Sequence, residues 1–327
     1  MFLQGLFVLV MLFLMGVGHS APLNEPPGPE AAPQTQDITP PQKPEIVADP
    51  KIVKAETTPP ETTKLAPQSP TSQTQGQVGA APSAQEIVVE LLPHRAMYSI
   101  TLDKNYQDED VVEAKGQMMI QLAKVGDGWA IEQKSTLHIY YRDGSAEQVI
   151  TNLATYESLD GLKYSFNART ARGEEEESIS GEAILASKGG AGIVTYQQPD
   201  ESTVQLPVGT IFPTQHLIYM LTAAMKGKMV VSNIVFDGSS ETHEPVQVNT
   251  VFGTAQDPKL ALSNKDLLHT KKVWPMRMAI YAVDSTGPEA DYEIMQNVLD
   301  RGIIRDMTLD YGTFKVKAVL NQVEVFS

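Results

Sequence analysis

From Glu86 onward, apolar and polar residues alternate with a period of two. Trp129, Ile131, Leu137, Ile139 and Tyr141 share one parity, while Glu132, Lys134, Thr136, His138 and Arg142 take the other. Leu162, Tyr164, Phe166 and Ala168 alternate with Lys163, Ser165, Asn167 and Arg169. Near the C-terminus Phe314, Val316, Ala318 and Leu320 face away from Lys315 and Lys317. One apolar and one wetted face per strand is the pattern of an antiparallel sheet curled around a core. Gly126-Asp127-Gly128, Arg142-Asp143-Gly144, Asp160-Gly161 and Asp237-Gly238 read as hairpin-type turns, because glycine tolerates positive φ. Arg301-Gly302 reads the same way between two late strands. Short alternating segments with turns this frequent predict a mainly β fold, a barrel or sandwich.

One stretch breaks the alternation. Residues 214–226 follow Phe212-Pro213 and carry Leu217, Met220, Leu221 and Ala224 at i, i+3, i+4 and i+7. Thr214 is placed to cap this helix and Gly227 to terminate it. The helix is expected to plug or cover one end of the β structure. A shorter turn is expected near Lys265–Leu268.

The N-terminal part has a different character. Leu6 to Val17 is uninterruptedly apolar, and Gly18-His19-Ser20 supplies small residues before Ala21, which reads as a secretory signal cleaved after Ser20. The apolar core is shorter than the roughly 17–25 residues of a spanning helix. Residues 2–5 contain no Lys or Arg, so an uncleaved membrane anchor is the alternative. Residues 21–84 hold 14 of the 22 prolines and few large apolar side chains, so nothing offsets the entropy of ordering them. They read as a disordered tether whose ends, as a flexible coil, sit roughly 45 Å apart. Residues 85–327 are then one β domain.

Charge and composition narrow the function. Of 40 acidic and 25 basic residues, 7 and 4 fall in the tether, which leaves 33 against 21 in residues 85–327, a net of −12. Such a surface repels phosphate backbones and anionic headgroups, which argues against nucleic-acid binding. The chain has no cysteine, so it has no disulfide, no thiol nucleophile and no site for a lipid-anchored N-terminus. No G-x-S-x-G, H-E-x-x-H, P-loop or EF-hand pattern occurs, and His94, His138, His216, His243 and His269 lack the spacing of a metal pair. Neither a metal nor another cofactor is expected. The SSETHE cluster around His243 and the Glu174–Glu177 run read as solvated loops. Trp129 and Trp274 each start an alternating strand, where an indole closes the core and its N–H finds a carbonyl; ligand stacking is the competing role. Arg95 precedes the first strand and is placed to pair with an interior acid. Together with Tyr281 these are the candidate ligand- or partner-contact residues: Arg95, Trp129, Trp274 and Tyr281.

In chain order, PHRAMYSITL (93–102), GDGWAI (126–131), ESLDGLKYSF (157–166), LPVGTIFPTQHLIYMLTAA (206–224), VFDGSS (235–240), VWPMRMAIY (273–281), YEIMQNVLDRGI (292–303) and LDYGTFKVKAVLNQVEV (309–325) resemble the EipB-type cell-envelope integrity family. The resemblance spans about 85–327. It implies an alphaproteobacterial periplasmic protein whose antiparallel sheet winds into a spiral, barrel-like shape with a helix packed at or inside its concavity. It implies no catalytic residue set. The family typically carries a Cys just before Asp-Gly-Trp, bonded to a second Cys near the C-terminus; here that position is Gly126 and the chain ends VEVFS. A disulfide closing a loop of about 200 residues contributes several kcal/mol in the chain-entropy model, so the first and last strands must here be held by pairing and packing alone.

These readings favour a non-enzymatic periplasmic protein that supports envelope integrity by binding another envelope or cell-wall component. A lipocalin-like carrier or sensor with an apolar ligand in the concavity is the alternative, and a hydrolase has little motif support. We expect the mature chain to begin at Ala21, as read by N-terminal sequencing of the periplasmic fraction. A periplasmic-side species that retains Met1 would replace the signal peptide with an anchor.

Overall fold

The structure, a computed structural model, describes residues 87, 89–105, 110–238, 244–258, 270–310 and 314–326. The expected signal segment and tether, His243 with residues 239–242, His269 and the expected turn near 265–268 lie outside the described residues.

Among the described residues, fifteen strands and one helix follow one another. β1 (His94–Leu102), β2 (Val111–Val125), β3 (Gly128–Tyr141), β4 (Ala146–Ser158), β5 (Lys163–Arg172), β6 (Glu175–Leu185), β7 (Gly192–Gln198) and β8 (Ser202–Leu206) form a meander. Each pairs antiparallel with the next. Residues 207–209 lead to the short β9 (Thr210–Ile211) and then to α1 (Pro213–Met225). β10 (Val230–Val235) pairs parallel with β9. A second antiparallel meander follows: β11 (Val246–Phe252), β12 (Val273–Ala282), β13 (Tyr292–Leu299), β14 (Ile304–Asp310) and β15 (Lys315–Val325).

β15 then pairs antiparallel with β1 through nine register pairs, from His94↔Val325 to Leu102↔Val316. This joins the meanders into one sheet ordered β8-β7-β6-β5-β4-β3-β2-β1-β15-β14-β13-β12-β11-β10-β9. The two edge strands, β8 and β9, are thus the strands linked by residues 207–209. A link that short spans no more than roughly 14 Å, so the sheet must curl until its edges approach. The result is a nearly closed, barrel-like sheet, the mainly β architecture expected from the alternation.

The alternation places the core as predicted. Trp129, Ile131, Leu137 and Ile139 on β3 are buried, as are Tyr164, Phe166 and Ala168 on β5, and Val316, Ala318 and Leu320 on β15. The helix brings Met220, Leu221 and Ala224 into the same core as Met278, Ile280 and Val316. A separate aromatic cluster gathers around Phe212, whose ring stacks on Tyr164 at 5.2 Å and meets Phe236 edge-on at 6.5 Å. Gly126 has φ 57 and turns β2 into β3, and a Cβ there would touch nothing within 4 Å. His94 stands opposite both Val325 and Leu122, so the β2–β3 turn and the end of β15 lie at the same end of the sheet.

Several local expectations need correction. Gly128 lies in extended β3 and is required by close approach, since a Cβ would fall 2.4 Å from the Tyr156 ring. Asp237-Gly238 belongs to a longer connection between β10 and β11 rather than a tight hairpin, and its glycine packs on Phe166, 2.4 Å from a hypothetical Cβ. Glu175–Glu177 form part of β6, not a loop, and Arg169 pairs with Glu176 across the β5–β6 ladder. The helix starts one residue early, with Phe212 at the N-cap and Pro213 in the first turn, because proline needs no N–H partner there. Its end is as expected: Gly227, at φ 71, donates its N–H to Ala224 O, and Lys228 N–H donates to Ala223 O, a Schellman closure.

Trp129 is 8 % exposed and sits in the main core. We expect Trp129→Ala to lower unfolding stability by about 3–5 kcal/mol, the range for removing a buried large aromatic, as measured by urea denaturation. Unchanged stability would show that the indole is not part of the core.

Candidate functional site at the helix seam

The helix is docked by a buried carboxylate. On β4 the inward parity runs Val149, Thr151, Leu153, Thr155 and Glu157, and all five are buried. Glu157 stands opposite Trp129 on one side and Tyr164 on the other, so it enters the interior between two aromatic residues. Its Oε2 accepts the Thr214 N–H at 2.6 Å and its Oε1 accepts the Gln215 N–H at 3.0 Å. The N–H groups that a helix leaves unsatisfied in its first turn are thereby capped from another strand, where the helix dipole also favours an anion. Thr214 therefore does not cap the helix with its own side chain. Burial raises the Glu157 carboxyl from its ordinary 4.5 to about 7, and the two N–H bonds only partly offset this.

One residue past the capped pair, His216 is wholly buried, and neither ring nitrogen has a hydrogen-bond partner. Burial lowers it from 6.5 to about 3. Glu157 and His216 are thus perturbed in opposite senses by the same cause.

On its other side, α1 borders a cleft of about 330 Å³. Leu185, Ile211 and Ile218 supply apolar walls, and Tyr219, 47 % exposed, lies along the mouth. Asp160 and Lys188 bring charges of opposite sign from the β4–β5 and β6–β7 turns. Asn233, on β10, contributes an Oδ1 that is buried without a hydrogen-bond partner. Gly161, at φ 70, lets the β4–β5 turn approach the helix, since a Cβ there would lie 2.6 Å from the Gln215 side chain. Gln215 therefore links the two regions: its N–H binds Glu157 and its side chain lines the cleft.

The four residues singled out from the sequence do not converge here. Arg95 lies within β1, not before it, and its Nε donates to Gln121 Oε1 at 2.9 Å. Its acid is Glu324 at 3.4 Å, a surface carboxylate rather than an interior one, and the guanidinium also lies 5.7 Å from the Phe326 ring centre. Trp129 is core. Trp274 is partly buried against the core, and its indole N–H has found no carbonyl. Tyr281 takes the parity opposite the buried Met278 and Ile280, beside Gln247. The features at the helix, Glu157, Lys188, Tyr219 and Asn233, carry no sequence motif. Glu157 alone left a signal, as an acid on the inward parity of β4. Among the described residues no group of three or more His, Asp or Glu is placed to hold a metal ion.

The opposed shifts at Glu157 and His216 predict a compensated pH response. A carboxyl raised on folding contributes stability that is fully present below 4.5 and lost as pH rises through about 7. A histidine lowered on folding contributes stability present above 6.5 and lost as pH falls toward about 3. Between pH 5 and 6.5 the two slopes cancel. Relative to wild type, Glu157→Gln should therefore lose stability on acidification from pH 7 to 5, by up to roughly 3 kcal/mol. His216→Phe should show the opposite trend over the same interval. Denaturation at stepped pH checks both, and parallel profiles for wild type and variants would refute the assignment.

Comparison with known proteins places this arrangement among relatives. The cell envelope integrity protein EipB of Brucella abortus (strain 2308) is 27% identical over 258 residues, covering 77% of this chain and 89% of its own length. A crystal structure of a β-barrel-like protein of a domain of unknown function, also from Brucella abortus, is similar with a TM-score of 0.65 at 26% identity. That similarity covers 73% of this chain and 100% of the other. The EipB-like family matches residues 85–327, which contain every strand described above and the helix; the chain belongs to the EipB-like family.

Proposed function

We propose that this protein is a non-enzymatic periplasmic member of its family that supports cell-envelope integrity by binding another envelope component through its outer surface. The relative from Brucella abortus is a cell envelope integrity protein. The observation that carries the surface-binding reading is the occupied concavity. Phe212, Met220 and Leu221 have no exposed surface, and the helix that bears the latter two fills space a carrier would reserve for an apolar ligand. The accessible cleft lies on the outer flank of that helix.

Crosslinking in intact cells followed by identification of the captured chains tests the reading. We expect an envelope or cell-wall protein to be captured reproducibly. Lipid recovered stoichiometrically with the natively purified protein, with no captured protein, would favour the carrier instead.

A further inference from the structure

The seam beside α1 contains a strand edge that the fold leaves open. β9 covers β10 only at Ile234 and Val235. Val230 to Asn233 pair with β11 on one side and with no described strand on the other. Phe252 N–H donates to Met229 O at 2.9 Å. Antiparallel alternation then turns the N–H and C=O groups of Val230 and Ser232 away from β11. Both residues are exposed, and no described backbone group bonds them on that side. Such an edge is a template for one more strand. It leads into the cleft, because Asn233 is both its last uncovered residue and the bearer of the unpartnered Oδ1 in the cleft wall.

The charge around this edge differs from that of the rest of the domain. Residues 85–327 are net acidic, 33 against 21, yet exposed Lys226 and Lys228 immediately precede β10, whereas Lys188 at the cleft is balanced there by Asp160. None of the ion pairs among the described residues uses Lys226 or Lys228. Apolar surface adjoins them: Met229 is 70 % exposed and Val230 58 %. A strand edge offers donors and acceptors in the sheet plane that only another polypeptide backbone complements, and the lysines select for acidic flanks. A lipid surface can meet the lysines but leaves the donors and acceptors of the edge unpaired, and the net charge of the domain repels anionic bilayers.

We propose that the open β10 edge and the adjoining cleft dock an extended, acidic polypeptide segment of a partner protein. The segment adds to the sheet as a strand, bonds Val230 and Ser232, and seats an apolar side chain against Ile211, Ile218 and Tyr219. This rests on the surface-binding reading above and names its site and the chemistry of its partner.

The test uses the mature full-length chain and three probes: an acetylated, amidated Glu-Val-Thr-Val-Thr-Val-Glu peptide, its Lys-flanked counterpart, and phosphatidylglycerol vesicles. The acidic peptide should slow amide exchange over residues 230–233 and bind more tightly than the Lys-flanked one. Ser232→Pro blocks the edge while sparing the β11 ladder, and Lys226→Glu/Lys228→Glu reverses the local charge on exposed positions. Each should weaken the acidic peptide by about tenfold or more, whereas Lys124→Glu on β2 should leave it unchanged. Equal or tighter binding of the Lys-flanked peptide, absence of protection, or undiminished binding by Ser232→Pro overturns the proposal. So does binding to the vesicles alone. In intact cells, a crosslinked partner that persists in Ser232→Pro removes the site but leaves the binding reading standing. Absence of any partner for wild type fails that reading, while the peptide measurements still judge the edge.

Discussion

The β1–β15 ladder is the interaction on which the rest of the structure depends. Each meander is a run of neighbours in sequence, and neither alone encloses anything. Nine register pairs between strands more than 200 residues apart turn two open sheets into one. The loop-closure entropy of that contact is large, and the cysteine-free chain meets it with backbone hydrogen bonds and buried side chains. Ala96, Tyr98 and Ile100 on β1 and Val316, Ala318 and Leu320 on β15 are all buried. The Tyr98 hydroxyl reaches Ile304 O on β14 at 2.9 Å and ties the joint to a third strand.

Once that joint forms, the far edges of the sheet have little freedom. Residues 207–209 tie β8 to β9, so the sheet closes on itself except along one seam, and α1 borders it. The helix is tied there at both ends. Glu157 reaches from β4 to its N-terminus, and the Schellman turn at Gly227 directs the chain into β10. Burying a carboxylate against helix N–H groups and an unpartnered imidazole beside it is costly. On unfolding, Glu157 releases a proton near the pH at which His216 gains one, so that cost need not appear as acid or base lability near neutrality. The same seam leaves the β10 edge uncovered, and the closing device and the exposed surface are thus consequences of one topology.

Much of the fold was legible in the chain. The parity of β3, β5 and β15, the turns at Gly126, Gly144, Gly161 and Gly302, and the apolar stripe of α1 all follow from local sterics and solvent partition. These depend on each residue and a few neighbours. Where the local reading failed, a distant group had intervened: Tyr156 against Gly128, Phe166 against Gly238, and the Glu157 carboxylate at the helix N-terminus in place of the Thr214 side chain. Arg95 was read as pairing with an interior acid, but its acid is the exposed Glu324, from a strand paired with β1 only in the folded sheet.

The sequence by itself determined the β class, the position of the helix, the core parity of β3, β5 and β15 and the absence of a covalent staple, since periodicity and composition are local properties. Only the tertiary structure decided which strands met, which core residues the helix joined, and that Glu157, His216, Lys188 and Asn233 gathered around one helix. Those residues come from separate elements, and nothing in their sequence spacing encodes a closure made by pairing the first strand with the last.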